Sequence, residues 1–360
     1  MENKIKVLVV GCGNMGKSHA RAYHQIDEFE IVGLVSRGPE SRNALSEELG
    51  GCPTFSDYST ALKETNPNAV SINTYPDTHY DYVMQALDAD CHVFVEKPLA
   101  NTVEECKEIK RKAQEKNKKI VIGYILRVHP TWTQFIDLAQ GLGKPLVMRM
   151  NLNQQSHGET WGVHKNLMNS MSPIVDCGVH YIDVMCLMTK AKPISVSAIG
   201  ARLSDEIDDA MYNYGHLQVR FDDGSVGWYE AGWGPMMSET AYFVKDVIGP
   251  KGCVSIVDKN PDTDGISTDD IDSHTGTNTL VIHYSQTDTA GNFIDKDKRI
   301  DTTDEPDHDG LCYLEQAYFL KAIKEDLDLT QHIDDAINSL NVVLAADESV
   351  KTGKTVEITS

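Results

Sequence analysis

Ile5-Lys6-Val7-Leu8-Val9-Val10-Gly11-Cys12-Gly13-Asn14-Met15-Gly16 is an apolar run ending in a glycine-rich turn, followed by a helical stretch to His24. A continuous apolar run of this length reads as a strand buried on both faces, as in parallel sheets. G-x-G-x-x-G gains meaning from a strand before it and a helix after it, and both are present. Gly11 permits the tight turn, Gly13 lets backbone approach a pyrophosphate, and Gly16 allows close helix–strand packing. Free N–H groups and the dipole at the helix start favour the phosphates. The competing reading of these glycines is a turn with no ligand.

Outward from this unit, strands and helices alternate. Glu30–Val35, Ala69–Asn73, His92–Val95 and Lys119–Gly123 read as strands. Helices are expected over 39–49, 78–87 and 103–116, the first with Pro39 in its first turn. Alternation of this kind implies a doubly wound parallel sheet. The pattern changes after Tyr124. Segments 146–152, 194–201, 213–221, 225–231, 241–248, 253–257 and 279–284 read as strands. Asp222-Asp223-Gly224 is a hairpin signal, and Gly249-Pro250-Lys251-Gly252 links another pair. The fold class expected is α/β: a Rossmann domain over 1–123, then an α+β domain over 124–360 with a largely antiparallel open sheet. Residues 311–324 and 334–349 carry apolar side chains at helical spacing and are expected to cover the sheets.

The formal charge of −21 argues against nucleic-acid or anionic-membrane partners. Much of it is local: Asp258–Asp309 holds fourteen Asp and Glu against four Lys and Arg. The acidic stretch 258–273 reads as an exposed loop. Its Asp262-Thr263-Asp264-Gly265 lacks the glycine at the sixth position of a calcium loop. No apolar run approaches the roughly 18 residues of a membrane span. The eight cysteines form no CxxC pair, which suits reduced thiols. Met1–Lys4 lead straight into a strand without the apolar core of a secretory leader. A cytoplasmic location is the expectation.

Two further clusters carry chemistry. Val93-Phe94-Val95-Glu96-Lys97-Pro98-Leu99 ends a buried strand in a charged pair and a proline. Ligands of open α/β sheets sit just beyond the carboxyl ends of the strands, where Lys97 falls. The competing reading is a solvated loop pair. Ser172-Pro173 opens a helix with Ser as N-cap and Pro at its first position. Asp176 and His180, four apart, share a face, and Asp183 follows. A structural histidine, or a metal site of Asp176, Cys177 and His180, are alternatives; no second ligand pair has suitable spacing, and no metal is expected. Strand two ends in Ser36-Arg37 where NAD-preferring sites place a carboxylate. Ser36 does not repel a 2′-phosphate and Arg37 can pair with one, so NADP is expected over NAD.

Gly11–Gly16, the turn Thr74-Tyr75-Pro76-Asp77-Thr78-His79, Glu96-Lys97-Pro98 and Asp176-Cys177-Gly178-Val179-His180-Tyr181-Ile182-Asp183, in this order, resemble the glucose–fructose oxidoreductase/inositol dehydrogenase family over essentially the whole chain. The resemblance implies a nicotinamide-dependent oxidoreductase that moves hydride to or from a hydroxyl-bearing carbon of a sugar, glycoside or cyclic polyol. It implies Lys97, Asp176 and His180 as catalytic residues, with Asp176 orienting substrate and His180 the general acid/base. Cofactor contacts would come from Gly11, Gly13, Asn14, Met15, Gly16, Ser36, Arg37, Thr74, Tyr75, Pro76, His79, Glu96 and Lys97. Arg127 matches a frequent family arginine, whereas Tyr75 stands where proline is usual and Val128-His129-Pro130 is less usual. His157 and Trp161, in a polar stretch over 153–165 read as a loop, join Lys97, Arg127, Asp176 and His180 as expected substrate contacts; Trp132, Tyr229 and Trp233 are further aromatic candidates. A homodimer or homotetramer through the second domain's sheet is expected. The alternatives are a glycosidase that uses NAD transiently and a non-catalytic sugar or dinucleotide sensor.

Overall fold

The computed structural model describes residues 4–238, 244–257 and 276–358. The chain forms two compact units, Met1–Val128 with His308–Ile337, and His129–Asp307 with Asn338–Ser360. The first unit draws on both sides of residue 123/124, since His308–Ile337 returns to it.

The first unit is built on six parallel strands: β1 (Ile5–Val10), β2 (Phe29–Val35), β3 (Thr54–Phe55), β4 (Ala69–Ile72), β5 (His92–Val95) and β6 (Ile120–Ile122). Their order is β3-β2-β1-β4-β5-β6, that of a doubly wound dinucleotide-binding sheet. Every residue of β4 is buried, as is Val7–Val10 of β1, so both faces of the sheet are covered. Helices α1 (Asn14–Gln25), α2 (Pro39–Glu48), α3 (Tyr58–Thr65), α4 (His79–Asp88) and α5 (Val103–Lys116) alternate with the strands. Local chemistry sets their ends. Asp57 caps α3, a reciprocal Thr102–Glu105 box starts α5, and left-handed Asn66 and Asn117 end both helices. Strand β3 and helix α3 escaped sequence reading, the strand being only two residues long.

The segment that comes back brings α9 (His308–Lys324), and α10 (Thr330–Thr352) begins in the same unit. Phe319 and Ala322 of α9 join Tyr23, Phe29 and Phe94 in one buried cluster, with the Phe29 and Phe319 rings stacked at 6.3 Å. Burial of large apolar side chains, worth about 1.5–3 kcal/mol each, is the force that returns α9 here. At the start of α10, His332 Nε2 accepts the Ile122 N–H at 2.9 Å. Burial, with the Arg127 guanidinium nearby, pushes the His332 imidazole down to about 3. The unfolded chain takes up that proton near the ordinary value of about 6.5. Stability is therefore full above about pH 6.5 and is lost as pH falls toward 3, at about 1.4 kcal/mol per pH unit for this group. His332→Gln keeps an acceptor for Ile122 and is expected to flatten the loss of urea stability between pH 7 and pH 5. An unchanged slope would contradict the assignment.

The second unit holds a nine-stranded sheet: β7 (Val147–Gln155), β8 (Pro193–Ala201), β9 (Tyr214–Phe221), β10 (Val226–Gly234), β11 (Lys245–Gly249), β12 (Gly252–Val257), β13 (Thr279–Tyr284), β14 (Lys298–Asp301) and β15 (Val356–Glu357). Its order is β14-β13-β12-β11-β7-β10-β9-β8-β15. Among the described residues only β7 and β10 pair in parallel, so the expected largely antiparallel sheet is found. The Asp222-Asp223-Gly224 hairpin turns with Gly224 at φ +83°. Helix α8 (Pro173–Thr189) packs on β9 and β10, and α6 (Pro130–Gly141) on β12.

Two local readings change here. The stretch 153–165 is not a loop: β7 runs on to Gln155, and Gly158–Leu167 is a helix, α7. Gly158 and Gly162 weaken its helical signal, while burial of Trp161 and His164 and packing on β10 favour the helix. Strands β14 and β15 and helix α6 also escaped sequence reading. Residues 241–243 of one expected strand, and the acidic stretch 258–273 with its calcium-like Asp262–Gly265, lie outside the described residues.

Candidate active site

At the end of β1 the chain has no room for anything but glycine at two positions. Gly11 has φ +95°, and a Cβ there would stand 2.3 Å from the Asn73 carbonyl oxygen. A Cβ on Gly16 would meet the Gly11 carbonyl oxygen at 1.9 Å. Gly13 is different: nothing lies within 4 Å of where its Cβ would stand. Gly13 is the N-cap of α1 and no side chain caps that helix, so its first N–H groups have no side-chain acceptor there. Open space above free N–H groups fits a pyrophosphate. Cys12, within the turn, is pushed up to about 11 by burial, partly offset by Arg42 and Lys17, and is therefore a thiol.

Ser36 lies at the end of β2 and Arg37 is exposed beside it. Sequence reading missed Arg42 on α2, which donates through Nη1 to the carbonyls of Ser36 at 2.5 Å and Arg37 at 3.2 Å. Its spacing carried no signal, because an arginine on a polar helix reads as solvated.

Beyond β4 and β5 two turns are tied together. The His79 ring nitrogens lie 2.7 Å from the Pro98 carbonyl oxygen and 3.0 Å from that of Thr74. Burial lowers the His79 imidazole below its ordinary value, so it is neutral and can donate only one proton. Thr74 and Thr78 hydroxyls meet at 2.6 Å, Tyr75 is exposed and Pro76 is buried. Lys97 is half-buried and its N–H donates to Glu96 Oε2 at 3.2 Å.

In the second unit, Ser172 caps α8 by accepting the Val175 N–H. Ser172 Oγ also donates to Asp347 Oδ1 at 2.7 Å, and the Tyr212 hydroxyl donates to Ser172 at 2.9 Å. The helix start is thus pinned from two sides. Asp176 and His180 are half-buried and share one face of α8, while Asp183 is buried. Cys177 Sγ lies 3.5 Å from Asp176 Oδ2 and from Gln154 Oε1, and Gln154 accepts the Trp233 indole N–H at 2.6 Å. Lys245 is buried against the same helix, its ammonium 5.4 Å from the Tyr181 ring centroid. Lys245 stands sixty-two residues beyond Asp183 in sequence, which hides it from motif reading.

Two family models match: an oxidoreductase family, NAD-binding Rossmann fold, over 5–124, and its C-terminal alpha/beta domain over 137–358. The chain belongs to the Gfo/Idh/MocA oxidoreductase family. Among curated Gfo/Idh/MocA-type relatives, UDP-N-acetylglucosamine 3-dehydrogenase of Acidithiobacillus ferrooxidans is 31% identical over 56% of this chain and 60% of its own length. The alignment therefore spans less than two thirds of that relative. D-glucoside 3-dehydrogenase of Escherichia coli is 25% identical over 69% of this chain and 75% of that protein. Among solved structures, scyllo-inositol dehydrogenase from Lactobacillus casei with bound cofactor NAD(H) and scyllo-inositol shares the fold, with TM-score 0.75, 21% identity and coverage of 99% of this chain and 100% of that one.

The remaining expected substrate contacts of this Gfo/Idh/MocA chain are engaged locally. Arg127 donates to Asp335 Oδ2 at 2.7 Å, and its Nη1 lies 3.4 Å from His332 Nδ1. Trp161 is buried and its indole N–H donates to Glu206 at 3.2 Å; Trp132, Tyr229 and Trp233 are also buried. His157 is exposed at the start of α7. Among the described residues one cluster has metal-ligand character, His19, Cys312 and Glu315. No helix among them is long and apolar enough to cross a membrane.

Proposed function

We propose that the chain is a dehydrogenase that transfers hydride between a nicotinamide cofactor and a hydroxyl-bearing carbon of a sugar, glycoside or cyclic polyol. The observation that carries this reading is the family match over both units; the glycine turn, Lys97, Asp176 and His180 of this sequence are assigned the chemistry within it. The bound nicotinamide supplies the hydride acceptor. His180 takes the hydroxyl proton as the carbon is oxidised, as a neutral imidazole does near neutrality. Asp176, one helical turn earlier, orients the substrate hydroxyls and favours the imidazolium as it forms. Lys97 donates to the reacting oxygen and stabilises its developing charge. Arg127, His157 and Trp161 are assigned secondary substrate roles, with Arg127 and Trp161 acting from positions already fixed by Asp335 and Glu206. A panel of inositols, aldoses and glycosides followed by cofactor absorbance tests the reading. Reduction with at least one class supports it, and none with any class would overturn it.

For the cofactor we assign a preference for NADP. Ser36 leaves the end of β2 without a carboxylate, and Arg37 with Arg42 offers two guanidinium groups to a 2′-phosphate. Arg42 Nε is buried with no hydrogen-bond partner among the described residues, which suits an anion beside it. Arg37→Ala is expected to raise KM for NADP about tenfold while leaving that for NAD unchanged, a loss of one exposed charge-assisted contact of about 1.4 kcal/mol. Wild type that turns over NAD far better, with NADP unaffected in the variant, contradicts the assignment.

The location is assigned to the cytoplasm, to be checked by fractionating cells. Self-association is assigned to the sheet of the second unit. Val147 pairs with Val226 and Ile248 across three strands, each of the three about 40% exposed. Ile199, 66% exposed, adds to the apolar area on that sheet. Sedimentation at micromolar concentration is expected to show a dimer or tetramer. A single 39.9 kDa species would remove the assignment.

A further inference from the structure

Beneath the Glu96–Lys97 turn, α1 and α9 enclose polar groups that the proposed chemistry does not use. His19, Cys312 and Gln316 have no exposure, Glu315 has 3% and Glu96 has 7%. Gln316 Nε2 lies 2.9 Å from His19 Nδ1. An amide nitrogen only donates, so Nδ1 accepts and the ring proton sits on Nε2. His19 Nε2 lies 2.8 Å from Glu96 Oε1, and the other Glu96 oxygen accepts the Lys97 N–H at 3.2 Å. A Cβ on Gly123 would come within 3.1–3.2 Å of all three atoms of the Glu96 carboxyl group, so glycine makes room for it. One line of contacts thus runs from α9 to the backbone of Lys97.

Glu315 sits beside this line with its Oε2 lacking any partner among the described residues. Burial first, and the Glu96 charge second, raise its carboxyl well above the usual range. Both carboxyls are buried beside the same imidazole, a Glu315 oxygen within 4.8 Å of a His19 ring nitrogen and Glu96 Oε1 2.8 Å from Nε2. Two carboxyls buried in one such cluster do not both ionise, and the one that accepts more N–H donors is the anion. Glu96 accepts two. Among the described residues, other titratable groups near the pair are Tyr23 on α1, His79 on α4, Lys97 itself and Cys312 on α9, with His308 lying 3.8 Å from the Cys312 sulfur.

We propose that Gln316 and Glu315 are positioning residues for Lys97. Gln316 fixes the His19 tautomer that holds Glu96, and Glu315 keeps the one proton of the carboxyl pair so that Glu96 remains the anion. This rests on Lys97 being the residue that contacts the reacting oxygen. A small displacement of such a donor is costly, about 10²-fold for 1 Å.

Two readouts on the wild-type holoenzyme stand apart from activity. Infrared spectroscopy at neutral pH is expected to show a protonated carboxyl band that disappears in Glu315→Gln, and ¹⁵N NMR to show His19 as the Nε2–H tautomer. Glu315→Gln, which is neutral like the protonated acid, is expected to keep kcat within about twofold. Gln316→Leu is expected to lower kcat about 10- to 100-fold, with cofactor affinity and KM unchanged and the His19 tautomer no longer unique. No such band, a large kcat loss in Glu315→Gln, or unchanged kcat and tautomer in folded Gln316→Leu would each overturn the proposal. So would stoichiometric zinc in the purified protein that is lost in Cys312→Ser, since His19, Cys312 and Glu315 donor atoms lie within 4.8 Å of one another. If Lys97→Ala retained full turnover, the function reading would fail while the band and the tautomer still judged the buried line.

Discussion

Turnover by His180→Ala is expected to fall about 10²–10⁴-fold, the contribution of a general base positioned on the transferred proton. The side chain sits on α8, whose start is pinned by Ser172 to Asp347 and by Tyr212 to Ser172, so its removal leaves the helix anchored. Cofactor affinity, which the proposed function assigns to the turn from Gly11 to Gly16, is expected to stay unchanged. Oxidation needs a neutral imidazole to accept the hydroxyl proton, so the wild-type rate is expected to show an acidic limb. The variant loses that acidic limb. Full turnover by a folded, cofactor-bound variant would make His180 structural.

Lys97→Ala is expected to lower kcat about 10²–10³-fold, the usual effect of removing one donor to a developing oxyanion. The turn that carries Lys97 is held by groups other than its own ammonium: Glu96 on its N–H, and His79 near the Pro98 carbonyl. The fold is therefore expected to survive, with some loss of cofactor affinity. Lys97→Ala and His180→Ala combined should cost less than the product of the two separate losses if both act on one reaction. Losses that multiply in full would place the residues in independent roles.

What could be read in the sequence was what the chain settles locally. The β1–α1 turn announces itself because the positive φ of Gly11 and the close approach of Gly16 to the Gly11 carbonyl are both settled within one strand–turn–helix unit; the contact of Gly11 with Asn73, after β4, was not legible in it. Ser172-Pro173 predicted the start of α8 because capping is decided within four residues. Periodicity in residues 311–324 showed that a helix buries a face; it carried no information on which layer receives it. Phe319 meets Phe29 and Phe94 only through that long return, so the contribution of α9 to the first unit was hidden. Glu315 and Gln316 looked like ordinary polar positions for the same reason. In sequence Trp161 looks like a loop aromatic, since the glycines of α7 mask a helix that burial stabilises.

The most direct test of the central claim is isotope transfer from carbon. A substrate identified by the panel, deuterated at the carbinol carbon, is incubated with oxidised cofactor and wild-type protein. The cofactor is then recovered and its nicotinamide ring analysed by mass spectrometry and NMR. Hydride transfer predicts one deuterium on the ring for each substrate oxidised, at a rate that falls with the label. Cofactor recovered oxidised and unlabelled after the substrate has been consumed would contradict it, and deuterium returned to the product without net reduction would mean transient oxidation instead.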